Sequence, residues 1–186
     1  MTDDPTFRPD PYCGPAPGPE TLIWAWNGDP VVLGALGLAT LAGLRHLRGA
    51  DAARPGRRRA FGVAAGAAVL VFLSPLCALT VALFTARGIH HLVLILVLAP
   101  ALAHALPLGR RGGAASFVLL SVALWAWHVP ALYAAAWDHA AVYWLMQAAL
   151  GLPAWVFWSC LLRGVRAGGG ADAGAGLYLS GLAVQM

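Results

Sequence analysis

Four long stretches of the chain, residues 60–86, 88–109, 112–137 and 139–162, contain no Asp, Glu, Lys or Arg. A helix needs about 20 apolar residues to cross the roughly 30 Å hydrocarbon core of a bilayer, and each stretch is long enough. A further apolar run opens at Asp29-Pro30, an N-cap residue followed by proline at the first helical position. The pattern predicts spanning helices over about 30–47, 60–83, 88–108, 114–136 and 140–162. A sixth apolar segment begins near Gly176 and stops at Met186, which is only the start of a span. Barrel strands alternate apolar and polar residues with period two, and these runs do not. The expected fold is all-α, a polytopic transmembrane helix bundle of five full helices plus a partial sixth.

Composition agrees. The 186 residues are 60% hydrophobic and 11% charged, against roughly 25% charged in an ordinary soluble domain. The formal charge of +4 does not indicate nucleic acid, because the basic residues follow membrane topology. Every one is arginine, a bias that GC-rich coding explains, and the absence of lysine rules out Schiff-base chemistry. Arg45, Arg48, Arg54, Arg57, Arg58 and Arg59 fall between the first and second predicted spans. Arg110 and Arg111 fall between the third and fourth, and Arg163 and Arg166 follow the fifth. Only Arg8 and Arg87 fall on the other side. Positively charged loops stay cytoplasmic, so the N-terminus is expected outside, in the periplasm of a bacterial inner membrane.

Four divisions follow. Residues 1–29 are a periplasmic Pro-rich tail, not a cleavable signal peptide, because no basic n-region leads into an apolar core. Residues 30–163 form the helix bundle. Residues 164–175 are a Gly-rich cytoplasmic linker, and 176–186 begin the sixth helix.

On this topology the polar residues inside the apolar runs gather toward one face. Side chains of this kind are costly in a bilayer and mark either a satisfied helix contact or a functional site. His90 and His91 open the third span in "ARGIHHLVLILVLAP", His128 lies in "LWAWHVPALY", and His139 sits beside Asp138 in the outer turn. Cys13 and Cys77 are on that same side, whereas Cys160 is at the far end with His46 and His104. Imidazole and thiolate together suit copper, zinc or iron. Candidate metal ligands are Cys13, His90, His91 and His128, with Cys77 and His139 as weaker candidates.

Each candidate has a plainer alternative. His90 and His91, about 100° apart on a helix, can be interfacial residues in headgroups and water, although Arg87 and His91 share a face. His139 can be merely solvated. Pro130 leaves the carbonyl of residue 126 without its helical donor, so His128 is either a ligand or a core histidine bonded to a neighbouring helix. Trp125 and Trp127 would shield it. The separation of Cys160 from the other two cysteines argues against a disulfide framework. No apolar stretch precedes Cys13 to suggest lipoprotein processing. The belt of Tyr133, Trp137, Tyr143 and Trp144 at one end, and of Trp155 and Trp158 at the other, reads as interfacial anchoring. No phosphate loop, Ser-His-Asp set, His-Glu-x-x-His or intramembrane carboxylate pair is present, so the chain does not read as an enzyme.

"PYCGPAPGP…WAWNGDPVVL", "SPLCALTVALFTARGIHHLVLILVLAPALAHALP" and "LWAWHVPALYAAAWDHAAVYWLMQAALGLPAWVFW" resemble the CtaG-type cytochrome c oxidase assembly proteins, in particular their alphaproteobacterial branch. The resemblance covers about residues 11–163. It implies an inner-membrane factor for haem-copper oxidase assembly that handles copper, with oxidase subunits or other respiratory membrane proteins as partners. Within it, His91 matches the second His of a His-Met-x-x-His element, His128 the His of Trp-His-x-Pro, and Cys13 the Cys of Tyr-Cys-Gly. Arg87 stands where many members have the first His, and His90 where Gln is frequent. Tyr143 and Gln147 stand where a second His pair is common, and the later helices of the family are missing. The chain is therefore expected to bind copper and pass it to an oxidase subunit. A metal-free scaffold subunit or a b-haem electron-transfer protein with His91 and His128 as axial ligands are the alternatives. Arg87 would anchor headgroups or dock an acidic partner.

Overall fold

The computed structural model of the chain describes residues 11–48, 56–109 and 112–166. Asp29 caps the first helix as the sequence predicts, its Oδ1 accepting from the Val31 N–H at 2.8 Å, and α1 runs over Pro30–His46. At 1.5 Å per residue, its 17 residues reach about 26 Å.

The second predicted span is broken. α2 (Arg57–Phe72) ends just before Ser74-Pro75, and α3 (Pro75–Ala82) continues at an angle of 43°. Pro75 lacks the N–H that would continue the ladder, and Ser74 makes the break tolerable by acting in both directions. Its Oγ donates to Leu70 O at 2.5 Å and accepts from the Leu76 N–H at 3.2 Å. The carbonyls left over at the end of α2 are met from the N-terminal segment. Asn27 donates its backbone N–H to Leu73 O at 2.9 Å and its Nδ2 to Phe72 O at 3.2 Å.

The third predicted span is continuous over Phe84–Ala105. It consists of α4 (Phe84–Val93), a π-helical turn (Leu94–Leu98) and α5 (Ala99–Ala105). In the π register the N–H of Ala99 bonds Leu94 O, so residue 100 should bond Ile95 O. Residue 100 is proline and cannot. Trp158 Nε1 supplies the missing donor to Ile95 O at 2.9 Å, which ties this span to the last helix.

The fourth predicted span is also two helices. α6 (Gly113–Ala126) and α7 (Pro130–Asp138) meet at 84°, because Pro130 starts a new helix and does not kink an existing one. α8 (Ala140–Arg166) is a single helix with Pro153 inside it.

The described residues are thus helical throughout their regular structure, and among them two helices are long and apolar enough to cross a membrane, or four if each bent pair is one span. This is a coarser result than five full spans, and α1 is the short one. The linker from residue 167 onward and the start of the sixth helix lie outside the described residues, as do Arg8, Arg54, Arg110 and Arg111.

α8 is the central element and packs against α5, α6 and α7, while α2 lies across α5 and the π turn. Its inner face, Tyr143, Met146, Leu150, Ala154 and Phe157, meets Leu94, Ile95, Leu98 and Leu120. These positions recur at helical spacing, one apolar stripe facing the bundle. Small residues let α2 approach closely: Ala64, Ala67 and Ala68 are buried beside Ala99, the close-approach chemistry of membrane helix pairs. Val118, Leu119, Val122 and Trp125 of α6 face outward, as expected of a lipid-facing surface.

Candidate functional site

The site is built at the end of the bundle where the N-terminal segment, α3, α4, α7 and the start of α8 meet. Residues 11–29 do more than trail from the bundle. Tyr12 stacks on Tyr143 with centroids 4.7 Å apart and meets Trp144 edge-on at 5.5 Å. Its hydroxyl donates to Asp29 Oδ2 at 2.7 Å. Partial burial first, and this bond second, push the Tyr12 pKa up to about 12. The same bond is the main reason that the Asp29 carboxyl is held below its usual range, with the Val31 N–H adding to it.

Cys13 and Cys77 are joined by a disulfide, their Cα atoms 5.4 Å apart. The expectation of unpaired cysteines is corrected here. Cys160 does lie at the far end, but that left a pair on one side, and the ordered tail brings the two together. While the bond is intact neither sulfur is a thiolate, so Cys13 and Cys77 are not metal ligands in this state.

Arg87, His90 and His91 of α4 and Leu94, the first residue of the π turn, fall at helical spacing on one side of the span. His90 is 2% exposed and His91 7% exposed, so neither rests among headgroups and water. Their rings are 5.8 Å apart and nearly perpendicular. Both line a small cavity of about 10 Å³, together with Thr80, Tyr143, Met146 and Gln147. That is room for roughly one water or one ion.

Gln147 fixes how His90 is protonated. Gln147 Oε1 lies 3.3 Å from His90 Nε2, and a carbonyl oxygen accepts, so Nε2 carries the proton. The lone pair is then on Nδ1, which is buried and has no partner, as is Gln147 Nε2. Two buried nitrogens without a partner among the described residues thus belong to side chains that line a cavity the size of one water or ion. Tyr143, 2% exposed, is a wall of this cavity with its hydroxyl 3.5 Å from Cys77 Sγ, and so is not part of an interfacial belt.

Arg87 separates this cavity from a second one. Its guanidinium carbon lies 3.3 Å above the Tyr133 ring and 5.5 Å and 5.7 Å from the Trp137 and Phe84 rings. Cations favour such ring faces. Nη2 donates to Thr80 O at 3.3 Å, and Nε has no partner. The second cavity, about 310 Å³, is lined by Arg87, His91 and His128, with Trp127 and Tyr133 among its walls.

His91 and His128 are therefore brought to one cavity, whereas His90 and His91 share the other. His128 is exposed and its Nδ1 bonds Leu124 O at 2.5 Å. The carbonyl freed by Pro130 is not its partner, because Ala126 O accepts from the Val129 N–H at 3.0 Å. Trp127 is buried and shields the site, but Trp125 is 67% exposed and does not. His139, exposed at the end of α7, lines neither cavity.

Met146 is the addition that sequence reasoning missed. A methionine in an apolar run carries no signal of its own. Its place one turn after Tyr143 on the inner stripe of α8 is the one clue. Among the described residues no group of three His, Cys, Asp or Glu side chains converges, so a soft cation here would draw on the thioether as well. No protein-family model, curated protein or solved structure matches the chain.

Proposed function

We propose that the chain is an inner-membrane assembly factor for a haem-copper cytochrome c oxidase, holding Cu(I) as cargo in the small cavity at the periplasmic face. The observation that carries the reading is the orphaned Nδ1 of His90 beside an ion-sized space shared with His91 and Met146. Cu(I) accepts imidazole and thioether ligands at low coordination number. Burial excludes water, and Gln147 holds the His90 tautomer from behind, as hydrogen-bonded partners of metal-bound histidines do. The site lies at the end of the bundle that the N-terminal segment covers, which keeps the cargo enclosed until it is handed over. Orientation by the arginine-rich loops and the resemblance of the three quoted segments support the same assignment, and five spans with an outside N-terminus belong to it.

Elemental analysis of detergent-purified protein tests it. Wild type is expected to carry stoichiometric copper after Cu(I) loading, and the His90→Ala/His91→Ala variant to fall to background. Equal copper in both rejects the site. A copper-free wild type whose oxidase-assembly activity survives in the double variant identifies a metal-free scaffold instead, and a Soret band identifies a haem protein.

A further inference from the structure

We propose that the second cavity, of about 310 Å³, binds a phosphate oxyanion, with Arg87 as its principal cation and His128 beside it. Arg87 is half-buried near one end of an apolar span, and none of the residues lining the cavity is acidic. A cation held among membrane helices is expensive without a counter-charge. The three rings around Arg87 and the Thr80 carbonyl lessen that cost, yet Nε is still without a partner. An arginine fork fits the oxygens of phosphate at two points. His128 donates its Nδ1–H to Leu124 O of its own helix, so its Nε2 presents a lone pair and the anchoring falls to Arg87. Arg87 is thus the cation on the cavity wall, and no carboxylate is there to compete with an anion for it.

The walls favour a phosphate that arrives on a lipid. Phe84, Trp127 and Pro130 give the cavity an apolar side, and Phe84, Val129 and Leu132 stand exposed beside it. These surfaces match the glycerol and first acyl carbons of a phospholipid better than they match a hydrated ion. Free phosphate shares the anchoring chemistry, so both sources enter the test. The proposal does not depend on copper.

The test uses the full chain, metal-free, in a neutral maltoside detergent. Short-chain phosphatidylglycerol, a phosphate-free diacyl glycolipid, inorganic phosphate and a glutamate-rich peptide are titrated separately. Binding is read by native mass spectrometry and by the shift in thermal midpoint. Phosphatidylglycerol is expected to bind and raise the midpoint, and the glycolipid to do neither. Arg87→Gln should weaken phosphatidylglycerol about tenfold, the loss expected for a charge-assisted bidentate contact. Arg87→Lys, which keeps the charge but loses the planar fork, should weaken it several-fold and keeps the test open if Arg87→Gln does not fold. Inorganic phosphate matching the lipid's shift supports the oxyanion site with free phosphate as its source; a shift from the lipid alone supports the headgroup. The proposal is overturned if both variants bind phosphatidylglycerol as wild type does, or if the glycolipid binds equally well. Preferential binding of the glutamate-rich peptide also overturns it, in favour of an acidic protein partner.

Discussion

Gln147 is the residue on which the chemistry of His90 turns. With Nε2 bonded to the Gln147 carbonyl oxygen, the free lone pair is on Nδ1, the atom that would bind copper in the proposed function. Gln147→Leu removes that control and leaves Nε2–H buried without a partner. Cu(I) affinity in a competitive chelator titration is expected to fall about 10- to 100-fold, the usual consequence of losing a hydrogen-bonded support of a metal ligand. Ser74 does comparable work for the backbone, bonding both sides of a helix break. Ser74→Ala should cost about 1–2 kcal/mol in denaturant unfolding, the loss of a cap together with a buried bond. Some of this was legible in the residues alone. Asp29-Pro30 announced a helix start, and Arg87, His90 and His91 stood out as polar residues in an apolar run, which the structure places on cavity walls. Gln147 and Met146 did not, because their meaning depends on which face of α8 meets α4.

At the scale of elements, prolines decide where helices stop. Hydropathy averages over a window and cannot distinguish one straight span from two helices meeting at Ser74-Pro75 or at Val129-Pro130, so the second and fourth spans look continuous in the sequence. The N-terminal segment looks like a tail for a similar reason: its prolines and polar residues carry no period, and its order comes from Tyr12, Cys13 and Asn27 meeting other elements. The Tyr12–Asp29 bond gives this segment a pH signature. Asp29 titrates lower when folded, so its contribution is complete above its unfolded value of about 3.9 and disappears as pH falls through the lower folded value. Tyr12 titrates higher when folded, so its contribution is complete below about pH 10 and is lost as pH rises toward 12. Thermal midpoints of wild type should decline at both extremes, and Tyr12→Phe should flatten both limbs. Close approach of α1 and α2 supplies a further test. A Cβ on Gly43 would collide with the buried ring of Phe61, so Gly43→Ala should destabilise by about 1–3 kcal/mol, as overpacking does.

For the whole molecule, the Cys13–Cys77 disulfide closes a long loop, its cysteines 64 residues apart in sequence, and pins the N-terminal segment over the candidate site. Chain-entropy reasoning assigns a cross-link over a loop of this length about 4 kcal/mol, and the Cys13→Ser/Cys77→Ser variant should unfold at correspondingly lower denaturant. Beneath that cap the bundle places a soft-ligand cavity and a cationic cavity side by side, divided by Arg87 and His91. In the proposed function His90 and His91, with Met146, grip a single copper ion in the inner of the two. X-ray absorption at the copper edge of Cu(I)-loaded protein tests it most directly. Imidazole nitrogens with one sulfur neighbour are expected in wild type, the sulfur disappearing in Met146→Leu and the imidazole pattern in His90→Ala/His91→Ala. A spectrum with no sulfur, or one unchanged by these substitutions, would contradict the account.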